Sequence, residues 1–299
     1  MAWFITESLD EFVAGADRFL RSDPTGNTLP LTIVQTLRAS GLTAYGDVPL
    51  FGWWRAADGT VDGAFLQTPP YPMLLTRMPA AAVPSLVDEL TAAGRRLPGI
   101  NAGRETAEDF ATEWLRRTGG TSRVHHQHRL YRLGELVPPL PAPPGAARVA
   151  TAADRDLVLA WWEAFVREAD DPPADRSGVV DDRIGYGGLT LWEVDGVAVS
   201  MAGISRRVAG VARVGPVYTP PELRRRGYAA AATAVVSRVA LDDGATEVLL
   251  FADLANSTSN ALYERLGYRP VDDVVILSFV EETAPVERPQ RARILDTQA

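Results

Sequence analysis

The chain has 299 residues, and its 30 basic residues, all arginine, against 38 acidic ones leave a net charge of −8. Apolar residues at 46% and charged residues at 23% are ordinary globular usage, which excludes a disordered or collagen-like chain, and the length suits about two domains. Cysteine is absent, which removes disulfides, thiolate metal sites and thiol nucleophiles and fits a reducing cytoplasm, while the acidic balance speaks against nucleic-acid binding.

The opening residues, MAWFITESLDEF, have neither the basic start nor the apolar stretch of a signal peptide, and no window reaches the ~18 apolar residues of a membrane span. Ser8 and Glu11 cap a predicted helix that runs to Leu20 and stops at Asp23-Pro24. Leu50 to Phe65 contains Trp53-Trp54 and an Asp-Gly turn and reads as a hairpin. Pro72 to Arg77 leads into a helix from Pro79, Gly99 to Asn101 fills a short-strand slot, and Ala107 to Gly120 is helical. Arg123 to Leu130 carries all three histidines, His125, His126 and His128. On a strand His126 and His128 share a face and could grip a metal, but with no cysteine or further histidine available a polar edge strand is the better account, and no metal is expected.

From Gly134 to Arg148 five prolines, Pro138, Pro139, Pro141, Pro143 and Pro144, forbid helix and favour an extended spacer. Beyond it Thr151 and Asp154 make a capping box, and Leu157, Trp161, Phe165 and Ala169 recur at helical spacing before Pro172. Leu189 to Gly196 and Val197 to Ile204 form a second hairpin, and a strand from Val211 to Thr219 ends at Pro220-Pro221. Gly227 to Leu241 is helical, Glu247 to Phe251 is apolar enough to be a strand buried on both faces, Asn256 to Leu266 is helical, and Val274 to Phe279 is a closing strand. The polar stretch from Glu281, with Pro285 and Pro289, reads as a loose tail. The order of elements in the second half repeats that of the first, which argues for two copies of one fold.

The chemistry concentrates in VGPVYTPPELRRRGYAAA, Val214 to Ala231. Unpaired N–H groups at a helix start, with the helix dipole, attract anions; Gly227 allows close backbone approach and Arg224, Arg225 and Arg226 add positive charge to an acidic protein. About 25 residues further on lies Asn256, with Ser259, Leu262, Tyr263 and Gly267 at fixed offsets. Here the sequence resembles the GCN5-related N-acetyltransferase superfamily: RRRGYA, Arg224 to Ala229, is similar to its acyl-CoA loop, and Asn256 with Leu262-Tyr263 and Gly267-Tyr268 is similar to its second motif. The resemblance covers about Val149 to Phe279.

This resemblance implies an α+β fold in which each half is a mixed, mostly antiparallel sheet flanked by helices, with two strands of the catalytic half parting to admit the pantetheine arm of acetyl-CoA. It implies main-chain contacts to that arm from Val217, Tyr218 and Thr219, a pyrophosphate wrapped by Arg224, Arg225, Arg226, Gly227, Tyr228, Ala229 and Ala230, and a further contact from Asn256. Tyr263, otherwise readable as core, takes the place of the general acid. For the base, Glu163, Glu168, Asp170, Asp171 and Glu193 fall where the acceptor cleft is built, and Glu168 is favoured for its place on the last helical turn. Where its cofactor loop should be, Thr76 to Leu86, the first half has no Arg-x-x-Gly and carries Pro79 and Pro84, and Leu115 stands where the phenol belongs. It reads as a degenerate copy over residues 1–135, with a linker over 136–147, the catalytic copy over 148–281 and the tail over 282–299.

The expectation is therefore a cytoplasmic acyltransferase of the tandem kind, acetylating a primary amine of a small molecule or peptide by direct attack, with acetyl-CoA as co-substrate and no metal. It is expected to be a monomer or homodimer without nucleic-acid or membrane partners. The alternative is an acyl-CoA-binding sensor or interaction module.

Overall fold

The computed structural model describes residues 1–280, so the predicted tail over 282–299 lies outside the described residues. The N-terminal half runs β1 (Ala2–Thr6), α1 (Leu9–Ser22), α2 (Thr28–Ser40), β2 (Leu50–Arg55), β3 (Val61–Gln67), β4 (Met73–Leu75), α3 (Ala82–Ala92), β5 (Gly99–Gly103), α4 (Arg104–Thr118) and β6 (Thr121–Leu133). The C-terminal half repeats the order: β7 (Ala146–Val149), α5 (Arg155–Glu168), α6 (Ser177–Gly185), β8 (Leu189–Val194), β9 (Val197–Ile204), β10 (Val211–Tyr218), α7 (Tyr228–Asp242), β11 (Glu247–Asp253), α8 (Ser257–Arg265) and β12 (Tyr268–Val280). The duplication is thus complete, element for element.

The local signals act as physics dictates. Glu11 N–H donates to Ser8 Oγ at 3.3 Å to cap α1, and both halves of the Thr151–Asp154 capping box form ahead of α5. The hairpin of β8 and β9 turns at Asp195-Gly196, both at positive φ of 51° and 78°, as a two-residue turn between right-twisted strands requires. In α5 the expected apolar stripe is displaced by one residue: Val158, Trp162 and Val166 are buried, while Leu157 is exposed and Trp161 and Phe165 are only partly covered.

The twelve strands of the described residues join one sheet in the order β1-β2-β3-β4-β5-β12-β6-β11-β10-β9-β8-β7. The strand expected to close the second half crosses the midline: β12 lies between β5 and β6, and β6 lies between β12 and β11. Each half therefore completes its sheet with the last strand of the other. Apolar clusters lie on both faces. Alternation along β2 sends Phe51 and Trp53 to α1 and α2, and Leu50 and Trp54 to α3 and α4. In the second half Leu189 and Leu191 of β8 pack with α5 and α6, while Trp192 packs with α7. The proline-rich segment is bound to the C-terminal half: Gly134 N–H donates to Gly267 O, Val137 N–H to Leu266 O, and Trp192 Nε1 to Pro144 O at 2.9 Å.

Candidate functional site

The site is opened by two parallel strands that part. β10 pairs with β11 only from Val211 to Val214, against Glu247 to Leu250. Beyond that β10 shifts register across Gly215-Pro216 and stays on β9 through Val217 and Tyr218, while β11 stays on β6 as far as Asp253. A wedge is left between Val217–Thr219 and the end of β11. Not all of its main-chain groups are free: Ser200 Oγ donates to Tyr218 O at 3.0 Å and pairs with Thr219 Oγ1 at 2.8 Å, and Arg224 Nε donates to Thr219 O at 2.9 Å.

At the mouth of the wedge the chain enters α7 without a side-chain cap. The N–H groups of Tyr228, Ala229 and Ala230 head the helix and have no partner within it, so they and the helix dipole present positive potential. Arg225 and Gly227 both have positive φ, 62° and 86°, and such alternation curls successive N–H groups into an anion-binding concavity. Gly227 adopts this conformation without strain, and Arg224, Arg225, Arg226 and Gly227 are all exposed.

Two residues expected to act separately hold one another. Glu168, at the end of α5, accepts hydrogen bonds at 2.7 Å on both carboxylate oxygens from Arg224, whose guanidinium also lies 5.8 Å from the Tyr218 ring centre. Taking a proton would cost Glu168 this ion pair. Among the other acids on this side, Glu193 is held at 2.7 Å by Arg148, which also grips Asp154. Glu163 is exposed. Asp171 is half-buried, and loss of water raises its carboxyl above the ordinary range against the opposing pull of Arg176, His126 and His125.

On the other side of the wedge, Asn256 caps α8: its Oδ1 accepts from Ser259 N–H at 3.0 Å, and no described residue engages its exposed Nδ2. Tyr263 is half-buried, its ring centre 6.1 Å from that of Tyr268 at a 69° interplanar angle. No described residue hydrogen-bonds its hydroxyl, and burial pushes its pKa up to about 12. Tyr268, buried beneath it, pairs with Ser237 Oγ at 2.7 Å. Gly267 sits between them at φ 99°, where a Cβ would run into the carbonyl of Glu135. The motif glycine is therefore a packing requirement where the linker crosses.

The histidine strand differs from expectation. β6 is interior to the sheet, not an edge, because β12 and β11 cover its two sides. Its pairing with β12 slips between Ile276, opposite His126, and Leu277, opposite Val124, so His125 is an extra, bulged residue. The three imidazoles consequently gather, with ring centres 4.2 Å apart for His125 and His126 and 5.6 Å for His126 and His128. Asp253 Oδ2 lies 3.2 Å from His126 Nδ1, and Asp170 O lies 3.2 Å from His125 Nε2. The sequence showed the shared face of His126 and His128 but not the rest of the group, because the partners, Asp253 and Asp170, are more than 40 positions away and the bulge leaves no mark in the pattern.

In the N-terminal half the same place, between the ends of β4 and β5, is a cavity of about 630 Å³ lined by Thr76, Arg77, Asn101, Arg104 and the Arg129–Asp273 pair. Its α3 starts after Pro79 with no side-chain cap and no glycine-arginine loop, and Leu115 of α4 stands in place of the phenol.

Residues 155–268 match the family described as "Acetyltransferase (GNAT) family", a span that opens at the first residue of α5 and closes just after the Tyr263 and Gly267 motif. Over these residues the chain is similar to the GNAT family. A GNAT acetyltransferase from Colwellia psychrerythraea superposes with a TM-score of 0.59 at 11% identity, covering 94% of this chain and 100% of that one. A GCN5-related N-acetyltransferase from Sphaerobacter thermophilus gives 0.58 at 16% identity over 92% and 94% of the two chains. A tandem GNAT protein from the clavulanic acid biosynthesis pathway gives 0.58 at 13% identity over 92% and 97%. No curated protein matches the sequence. At these identities the solved structures establish the fold alone, α+β with a mixed sheet flanked by helices, and among the described residues no helix is long and apolar enough to cross a membrane.

Proposed function

We propose that this protein is an N-acetyltransferase that moves the acetyl group of acetyl-CoA to a primary amine of a small molecule or peptide, by direct attack within a ternary complex in its C-terminal half. The observation that carries the reading is the parting of β10 from β11 beside the bare N-terminus of α7. An extended pantetheine arm fits the first feature and a pyrophosphate the second. With no cysteine in the chain, a cysteinyl acyl intermediate is closed, and the amine attacks the thioester itself.

Main-chain N–H groups near Val217 to Thr219 polarise the thioester carbonyl. Tyr263, with a hydroxyl that no described residue engages, faces the developing thiolate. At a pKa of about 12 it stays protonated throughout the working range, and full transfer to a thiolate of pKa ~8.5 is uphill by about 5 kcal/mol. Tyr263 thus serves first as a hydrogen-bond donor to the leaving sulfur, with proton transfer completed as the product departs. On the acceptor side Glu168 is committed to Arg224, so the amine proton passes to another of the nearby acids or to water.

The test is release of CoA thiol from acetyl-CoA across a panel of small amines, aminoglycosides and peptide N-termini. Turnover with at least one class is expected. Tyr263→Phe should lower kcat by at least about tenfold while the KM for acetyl-CoA changes little. Turnover within twofold of wild type would remove the role of Tyr263, and acetyl-CoA binding without thiol release across the panel would favour the sensor reading.

A further inference from the structure

We propose that His126, His128 and Asp253 form a site for one divalent transition-metal ion, with His125 and Asp170 flanking it as further ligands. Three independent features of the backbone build the set. His126 and His128 are two apart on β6 and so project from one face of the sheet. Asp253 is the register partner of His128 on the adjoining strand β11, and residues directly opposite in an antiparallel pair share a face. The bulge at His125 then re-aims a side chain that strict alternation would send to the other face.

The distances suit an ion. One nitrogen or carboxylate oxygen from each of His126, His128 and Asp253 lies within 4.8 Å of the others, and the same holds for His125, His126 and Asp170. Metal–ligand bonds of ~2.0–2.1 Å put neighbouring ligand atoms roughly 3.3 Å apart, so the His126–Asp253 contact of 3.2 Å already has that spacing and the rest draw in by about an ångström. The other nitrogen of His126, Nε2, is buried without any hydrogen-bond partner, so no competing bond fixes the ring away from an ion at Nδ1. Two imidazoles and a carboxylate on neighbouring interior strands favour Zn²⁺, Co²⁺ or Ni²⁺ over Mg²⁺ or Ca²⁺, which prefer oxygen. The set spans the duplication: its imidazoles belong to the last strand of the N-terminal half and its carboxylate to β11 of the C-terminal half. The proposal does not depend on acetyl transfer.

Full-length, tag-free protein is stripped with a chelator and titrated with Co²⁺, followed by visible d–d absorption, and with Zn²⁺, followed by calorimetry. One equivalent of each should bind, Mg²⁺ at the same concentration should not, and His126→Gln and Asp253→Asn should each weaken Co²⁺ binding by about tenfold or more. Should a variant fail to fold, the ring signals of His126 and His128 in the wild-type protein should still shift on adding one equivalent of Zn²⁺. The proposal is overturned if stoichiometric Co²⁺ gives no d–d band, or if a variant carrying both His126→Gln and Asp253→Asn binds Co²⁺ as tightly as wild type, which would mean an adventitious ion only.

Discussion

Tyr263 and Tyr268 are neutral phenols set into the apolar layer beneath α7, and burial raises both above the ordinary tyrosine value, Tyr263 to about 12. In the unfolded chain both ionise near pH ~10. A group whose folded pKa is raised contributes stability that is constant while both states stay protonated and is lost as pH climbs from the unfolded toward the folded value. Stability should therefore be flat up to about pH 10 and fall by about 2–3 kcal/mol from Tyr263 alone by about pH 12. Urea unfolding at a series of alkaline pH values measures this, and Tyr263→Phe should flatten the decline; an unchanged slope in the variant would refute it. Residue-level chemistry was partly legible in the sequence. Tyr263 and Asn256 stand out by offset from a glycine, whereas the Arg224–Glu168 pair was not readable, since it joins positions 56 apart through a turn of the backbone.

The elements that position the site are α7 and the loop before it, and here the backbone matters more than the arginines. Gly227 is held at φ 86°, a conformation that costs a residue with a Cβ about 1–2 kcal/mol, and any shift to relieve it would move the first N–H groups of α7. Gly227→Ala should raise the KM for acetyl-CoA by about tenfold and leave kcat within a few-fold, because it disturbs binding remote from the reacting carbon. Steady-state kinetics with the acceptor saturating separates the two; an unchanged KM would place the pyrophosphate elsewhere. The hairpins, the Ser8 cap, the Thr151–Asp154 capping box and α7 were legible because each rests on a short-range rule. Two helices were not. α2 carries Pro30 in its first turn and buries Thr28 and Thr32 beside its leucines, which blurs the period, and α6 has only nine residues with glycine near both ends. The displaced stripe on α5 has a related cause. The helix packs on α6 as well as on the sheet, so Trp161 and Phe165 are partly covered beside the buried stripe and periodicity alone cannot choose between the two.

At the scale of the whole molecule, exchange of the last strands makes the two halves one cooperative object. β11 has β6 as its outer neighbour, and β12 has β5 and β6, so the C-terminal half taken alone would expose the edge of β11 and leave the long β12 with no native partner. Nothing in the sequence announces this. A chain with two repeats and a proline-rich spacer suggests two separable domains, because pairing between strands more than 100 residues apart follows from which edge is free, not from any local pattern. The full chain should accordingly unfold in one transition, with circular dichroism and tryptophan fluorescence giving coincident curves. Residues 148–299 expressed alone, although they hold every residue assigned to the pyrophosphate and Tyr263, should be aggregated, or dimeric through reciprocal exchange of β12, and should bind acetyl-CoA at least about tenfold more weakly. Adding back a peptide of β6, Thr121–Leu133, should restore part of the binding by closing the edge of β11. A soluble, monomeric C-terminal half with full acetyl-CoA affinity would show instead that the crossing strands are dispensable to the site, and that the duplication serves the acceptor side alone.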